Sequence, residues 1–307
     1  MSRVYYGWWI VAGCTLNMII TSGICNIAFP VFLVPWIDHF GWSRTATAGG
    51  ISMLLLALGI SAPVAGRLAM RYGPRQIMLP ATALAGFCLW SCAWMTTLWQ
   101  LYVIRLLAGV AFAGMAHVPV NILMSRWFNN LRGRATGLAL IGAPIGGLLF
   151  TPIVSVLVQN FGWRSALMLL GSLVWLVLLP LQFLVIKDDP QSSLTSDTTL
   201  AKEQPVVSGL SIEDIMRIPR FWILLLVLFF YFTGIFSMMV HQLPHFIDNG
   251  RSPNEAAFLV SIMMGCSVLG GTSFGWVSDR YNVYRLFAMC AALMIAGVIA
   301  LFANLPY

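Results

Sequence analysis

The sequence predicts an all-α membrane protein that crosses the bilayer many times, and three observations carry that prediction. Of its 307 residues 59% are hydrophobic and only 9% are charged, with a mean hydropathy of +0.85; a soluble domain carries about a quarter charged residues. Nine apolar runs come close to or exceed the roughly twenty residues that a helix needs to cross a bilayer. The basic residues are sorted between alternate loops, as a fixed topology requires.

In chain order the runs are 8–34, 46–68, 77–95, 98–123, 135–158, 165–186, 221–246, 256–277 and 286–305, spans 1 to 9. Span 1 has only Arg3 ahead of it, is too long for a signal peptide and has no cleavage site, so it is retained. Tyr5, Tyr6, Trp8 and Trp9 anchor its entry at the interface. With the N-terminus in the cytoplasm, thirteen of the seventeen Lys and Arg fall inside, Arg44, Arg164 and Arg251 fall outside, and Arg105 lies within span 4. Residue 307 is then expected on the outer side. The stretch 187–220 is polar and Ser/Thr-rich, with little reason to fold. Within it, Ser211 three residues ahead of Asp214 predicts a capped short helix on the cytoplasmic surface. This linker divides an N-terminal six-span half (1–186) from an incomplete, three-span C-terminal half (221–307).

The two sides of the linker repeat one another. At an offset of 209 residues Pro35 matches Pro244, Gly41 matches Gly250, Ser43 matches Ser252, and Arg71-Tyr72 matches Arg280-Tyr281. A repeat of that length built of membrane spans marks a two-halved transporter. Its best-marked stretches are two short basic loops, 66–75 (GRLAMRYGPR) and 275–285 (GWVSDRYNVYR).

Six spans, a cytoplasmic linker and a restart resemble the major facilitator superfamily, whose loop signature is G-x-x-x-D-R-x-G-x-[RK]. Gly275, Asp279, Arg280 and Arg285 carry it in the second half, with Asn282 where glycine is usual and one residue more before the final Arg. Gly66, Arg71, Gly73 and Arg75 carry it in the first half, where Met70 replaces the carboxylate. Arg105 with Gly109, and the stretch 142–147 (GAPIGG), resemble the family's fourth and fifth spans. Tyr6-Gly-Trp-Trp9, the loop from Arg126 to Ala135, Phe161-Gly-Trp-Arg164 and Phe221-Trp222 are similar to the branch of monocarboxylate transporters and oxalate/formate antiporters. The resemblance implies twelve spans. The sequence holds nine, so it is expected to be either a fragment or a truncated product without spans ten to twelve.

Among single residues Arg105 stands first. An intramembrane arginine is costly and needs a partner or a water-filled cavity. Facing a cavity it would clamp a carboxylate; otherwise it ties down carbonyls at a helix break or snorkels outward. His117 and Asn121 lie one turn apart on the same span around Pro119, and Asn26 (span 1), Tyr231 and His241 (span 7) complete the candidate substrate-binding set. Each of these has a plainer reading as a polar group that glues helices together. Asp279 beside Arg280 reads as a gate pair, with Gly66, Arg71, Arg75, Gly275 and Arg285 completing the gating loops. For Arg67, Arg75 and Arg285, topology alone is a sufficient reason. Proton coupling through His241 or His117 is open, and no Asp or Glu lies within a predicted span.

No cofactor or metal is expected. His241 and His245 share a face, but Pro244 should disrupt the helix between them, and Cys88 and Cys92 lack a third ligand. The cysteines read as small core residues, and Gly142-x-x-x-Gly146, Gly271-x-x-x-Gly275 and Ala62-x-x-x-Gly66 as close-packing faces. Scattered positive charge argues against nucleic acid, and no phosphate-binding or metalloprotease motif argues for an enzyme. The expected function is a secondary active transporter of a small organic anion, such as a monocarboxylate, working by proton symport or exchange in a bacterial inner membrane. The alternative is a transport-inactive truncated membrane protein that binds a ligand or partner.

Overall fold

The computed structural model describes residues 6–128, 131–188, 216–278 and 283–303, and every described element is helical. The predicted surface helix at 211, and Asp279 and Arg280 of the second signature, lie outside the described residues. A helical segment lies in each of the nine apolar runs. Span 1 is α1 (Tyr6–Ser22), a π-helical turn (Gly23–Ile27), a 3₁₀ turn (Phe29–Phe32) and α2 (Leu33–Phe40). Spans 2 and 3 are α3 (Arg44–Tyr72) and α4 (Pro74–Cys92); span 4 is α5 (Leu98–Met115) and α6 (His117–Trp127). Spans 5 and 6 are α7 (Arg132–Leu140), α8 (Gly142–Leu173), a second π-helical turn and α9 (Leu179–Leu184). Spans 7 to 9 are α10 (Pro219–Asp248), α11 (Pro253–Ser278) and α12 (Val283–Ala303). Among the described residues six stretches are long and apolar enough to cross a membrane. One of them, 133–184, is two arms folded at Gly162 (φ 77°, ψ 159°), a conformation open to glycine.

The helices outrun the apolar cores that predicted them because their caps sit in the loops. Ser43 accepts a hydrogen bond from the Ala46 N–H, and Ser252 from the Glu255 N–H, so repeat-equivalent serines cap spans 2 and 8. Repeat-equivalent Gly41 (φ 68°) and Gly250 (φ 82°) take left-handed conformations where spans 1 and 7 end. The 209-residue repeat is thus built into the turn chemistry of both sides. The longer helices bring Asp38, Asp248 and Glu255 onto helix ends just beyond predicted spans 1, 7 and 8. One expectation is corrected here: helix α10 runs unbroken through Pro244.

The first six spans pack as one bundle, with span 1 against span 5, span 2 against span 4, and span 3 between spans 4 and 6. Spans 7 and 8 join this bundle chiefly through span 5 and the broken part of span 1. Loops bearing Arg67, Arg71, Arg75, Arg126 and Lys187 gather at one end, termed the basic end; Arg44 and Asp248 mark the other.

Candidate functional site

Spans 1 and 4 are both broken, and a proline accounts for each break. In span 1 the backbone slips into a π turn, in which the Ala28 N–H bonds the Gly23 carbonyl. Continuing that pattern would require an N–H from Pro30, which has none, so the Cys25 carbonyl is left over. In span 4 the chain leaves helical geometry at Ala116 (φ −104°, ψ −120°), and Pro119 cannot donate to the Met115 carbonyl four residues back. A carbonyl stranded in an apolar interior needs a donor.

Each broken span supplies the donor for the other. Arg105 of span 4 reaches the Cys25 carbonyl with Nη1 at 3.5 Å and lays its guanidinium 3.5 Å from the centre of the Phe29 ring. Asn17 of span 1 donates Nδ2 to the Met115 carbonyl at 2.8 Å. Asn17 in turn accepts from Gln182 Nε2 at 2.9 Å, and Gln182 exchanges hydrogen bonds with Thr82. Spans 1, 3, 4 and 6 are therefore tied by one buried polar network. Arg105 itself is only 2% exposed, and its Nε and Nη2 have no hydrogen-bond partner among the described residues. Arg105 lines a small cavity of about 10 Å³ together with Cys25, Cys88, Cys92 and apolar side chains.

The predicted substrate-binding residues do not converge on one pocket. Asn26 is half-buried in the π turn beside Cys25. His117 and Asn121 are exposed on one face of α6, toward the basic end, and the His117 ring meets Phe112 edge-on at 6.3 Å. Ten helical residues, roughly 15 Å at 1.5 Å per residue, and the break at Ala116 separate Arg105 from His117. Tyr231 is half-buried on α10, next to the Phe232 ring. His241 lies toward the other end, where it lines a 220 Å³ cavity with Arg44, His245, Asp248 and the α2 residues Leu33, Val34 and Ile37.

Sequence reasoning missed the bonds that close that end. Arg44 at the start of span 2 grips Asp248 at the end of span 7 in bidentate fashion, Nη2 to Oδ1 at 2.7 Å. Ser155 of span 5 donates to Asn254 Oδ1 at 3.0 Å, and Asn254 Nδ2 donates to Gln159 Oε1 at 2.8 Å. Both links join elements from opposite sides of the linker. Opposite charges flanking the repeat-equivalent Gly41 and Gly250 were the available signal. If the pair holds this end shut, Asp248→Asn speeds labelling of a His241→Cys chain by a membrane-impermeant maleimide severalfold, with exposed Cys266 replaced by Ser in both chains. Equal labelling rates would remove the pair from any gate.

At the basic end the gating residues separate by role. Gly66 packs loosely, with Val118 its nearest neighbour at 3.6 Å from a built Cβ; Arg71 is exposed over the Tyr72 ring, and Arg285 is exposed. Gly275 lies within α11. Arg75 donates Nη2 to the Phe183 carbonyl at 2.6 Å, and its backbone N–H points to Asp188 Oδ1 at 3.4 Å. Asp188 thus brings a carboxylate from the end of span 6 to the loop whose own signature position is Met70. Gly73 (φ 98°) makes room for it: a Cβ there would fall 2.3 Å from Asp188 Oδ2. Gly73→Ala is therefore expected to cost about 1–3 kcal/mol. Desolvation pushes the Asp188 carboxyl up from 3.8, outweighing the opposing pull of Arg75 and Arg126. A raised carboxyl stabilises the fold below its unfolded value and loses that contribution as pH rises through the folded one. The Tm of the natural chain should fall relative to Asp188→Asn as pH rises above the ordinary carboxylate value of 3.8; parallel Tm curves would contradict this.

Comparison with known proteins follows the same lines. The family model of the Major Facilitator Superfamily matches residues 14–306. Monocarboxylate transporter 12 of Mus musculus is 28% identical over 95% of this chain and 64% of its own length. Monocarboxylate transporter 11 of Mus musculus is 29% identical over 96% and 65%, and monocarboxylate transporter 13 of Bos taurus 28% over 89% and 62%. The chain thus spans just under two thirds of the length of these relatives. Among solved structures, a bacterial homolog of the human lysosomal transporter Spinster, in an inward-facing and unoccupied conformation, superposes with a TM-score of 0.70 at 19% identity, over 92% of this chain and 64% of that one. With the broken, repeat-related spans described above, this shows that the chain is a multi-pass membrane protein belonging to the Major Facilitator Superfamily.

Proposed function

We propose that the chain carries a small organic anion, a monocarboxylate in the first instance, across the membrane by alternating access. The carrying observation is the cross-linker bonding at the Arg44–Asp248 end. Exposed links of this kind, Arg44–Asp248 and Asn254–Gln159, exchange readily for water. They suit a face that closes and reopens as two repeat-related halves rock. For the solute, the relatives' names point to monocarboxylates, and Arg105, 2% exposed and without a carboxylate partner among the described residues, is the positive charge that rocking would have to uncover to admit one. His241, on the wall of the cavity behind the Arg44–Asp248 pair, is the candidate proton-carrying group. The basic end belongs in the cytoplasm, which puts the N-terminus inside and the Arg44–Asp248 face outside, in a bacterial inner membrane. The halves of the cycle are 1–186 and the spans of 221–307, joined by the linker 187–220.

The test is uptake of a labelled small monocarboxylate into liposomes containing the full chain, with and without an inward-acid pH gradient. Accumulation above protein-free liposomes, blocked by excess unlabelled carboxylate but not by a neutral solute of the same size, is the expected result. Carboxylate counts no higher than those of protein-free liposomes would sink the reading.

A further inference from the structure

We infer that Arg105 holds a resident monovalent anion of halide class in the small cavity it shares with Cys25, Cys88 and Cys92. Three observations on the site converge. Arg105 is 2% exposed, and two of its nitrogens, Nε and Nη2, are buried with no partner among the described residues. Arg105 also lines a small cavity of about 10 Å³, room for the centre of one water-sized particle and far too little for an organic carboxylate.

The lining decides what that particle is. Guanidinium N–H groups and thiol S–H groups are donors, and the rest of the wall is aliphatic or thioether: Ala85, Leu89, Ile104, Ala108 and Met115. The two nearby carbonyls are already engaged, Cys25 by Arg105 and Met115 by Asn17. A water in this space would accept from Arg105 but aim its own hydrogens at carbon and sulfur. A halide only accepts, and it also neutralises a cation that has no carboxylate beside it. Desolvated charges persist when paired, and this cavity supplies the place for the pair.

The anion also has a structural task. It sits where the broken part of span 1 meets spans 3 and 4, so binding it secures the Arg105–Cys25 contact and with it the bend of span 1. The inference shares Arg105 with the proposed transport function but does not need transport to occur, and its test reads stability alone.

Thermal unfolding of the purified full chain is measured at fixed ionic strength while gluconate is replaced by chloride or bromide. A saturable rise of roughly 3 °C is expected with either halide and is absent in Arg105→Gln. Bromide anomalous scattering from crystals of the natural chain gives a second readout that does not depend on any variant folding, with the peak expected between Arg105 and the Cys88 and Cys92 sulfurs. A Tm indifferent to the anion, the same halide shift in Arg105→Gln, or bromide absent from the cavity overturns the inference. Halide binding without carboxylate uptake would leave the anion site standing and remove the transport reading; uptake without halide binding would do the reverse.

Discussion

Arg105→Met is expected to abolish carboxylate uptake while leaving the chain at least as stable as the natural one in chloride-free solution. The energetic terms oppose each other. Moving a guanidinium into a low-dielectric interior costs several kcal/mol even after relaxation. The described contacts return less. The cation–π contact with Phe29, at 3.5 Å from the ring centre, is worth about 2 kcal/mol when desolvated. The bond to the Cys25 carbonyl, at 3.5 Å, lies at the outer limit of a hydrogen bond and contributes less than the about 1.5–3 kcal/mol of a well-formed charged one. Methionine fills similar space with an adaptable apolar chain and removes the desolvation cost, which offsets the about 1–3 kcal/mol of leaving the Cys25 carbonyl without its donor. A costly residue that stability does not require is there for function. The paired measurements are the Tm in gluconate and the initial uptake rate. A Tm several degrees below the natural chain would make Arg105 a structural strut between two broken helices. Unchanged uptake would take it off the transport path altogether.

Much of this organisation was legible in the sequence because bilayer physics writes it in long strokes. The nine helical runs, the basic end and the repeat follow from hydropathy, charge and the spacing of Pro, Gly and Ser. The structure placed Gly41 and Gly250 in the same left-handed turns that their repeat register implied. Arg105 announced itself as the one arginine or lysine lying deep inside a predicted span. Its surroundings did not. The sequence left three readings, a clamp in a cavity, a tie to carbonyls at a break and an outward snorkel, and the structure shows a tie, with Cys25 as the carbonyl. The break lay hidden because Pro30 sits near the end of an uninterrupted apolar run, where hydropathy sees nothing. Gln182 and Thr82 were invisible for a related reason: a single polar residue in a span gains meaning only from the partner that packing brings to it. Likewise Arg44 was counted for topology, and its partner Asp248 lay 204 residues away.

Gly146→Ala is expected to lower stability by about 3 kcal/mol, the top of the usual range for overpacking, because nothing near it can yield. A Cβ on Gly146 would lie 2.1 Å from the Ile19 carbonyl oxygen, and one on Gly142 would lie 2.4 Å from that of Thr15. In the other direction, a Cβ on Gly23 would lie 2.7 Å from the Gly146 oxygen. Spans 1 and 5 thus touch backbone to backbone across the small-residue face of span 5, and a rotamer change cannot clear a main-chain atom. Relief requires the two spans to part, and the part of span 1 that must move is the segment entering the π turn. That segment is held by Gly146 on one side and by Arg105 on the other. One methyl group should therefore damage two properties at once: Tm, and whatever function depends on Arg105 meeting Cys25. Gly137→Ala, on the same span with nothing within 4 Å of the added methyl, is the matched control and should be neutral or slightly stabilising. If the two alanine variants unfold at the same temperature, spans 1 and 5 are not in close contact, and the support assigned to the bend of span 1 is lost with it.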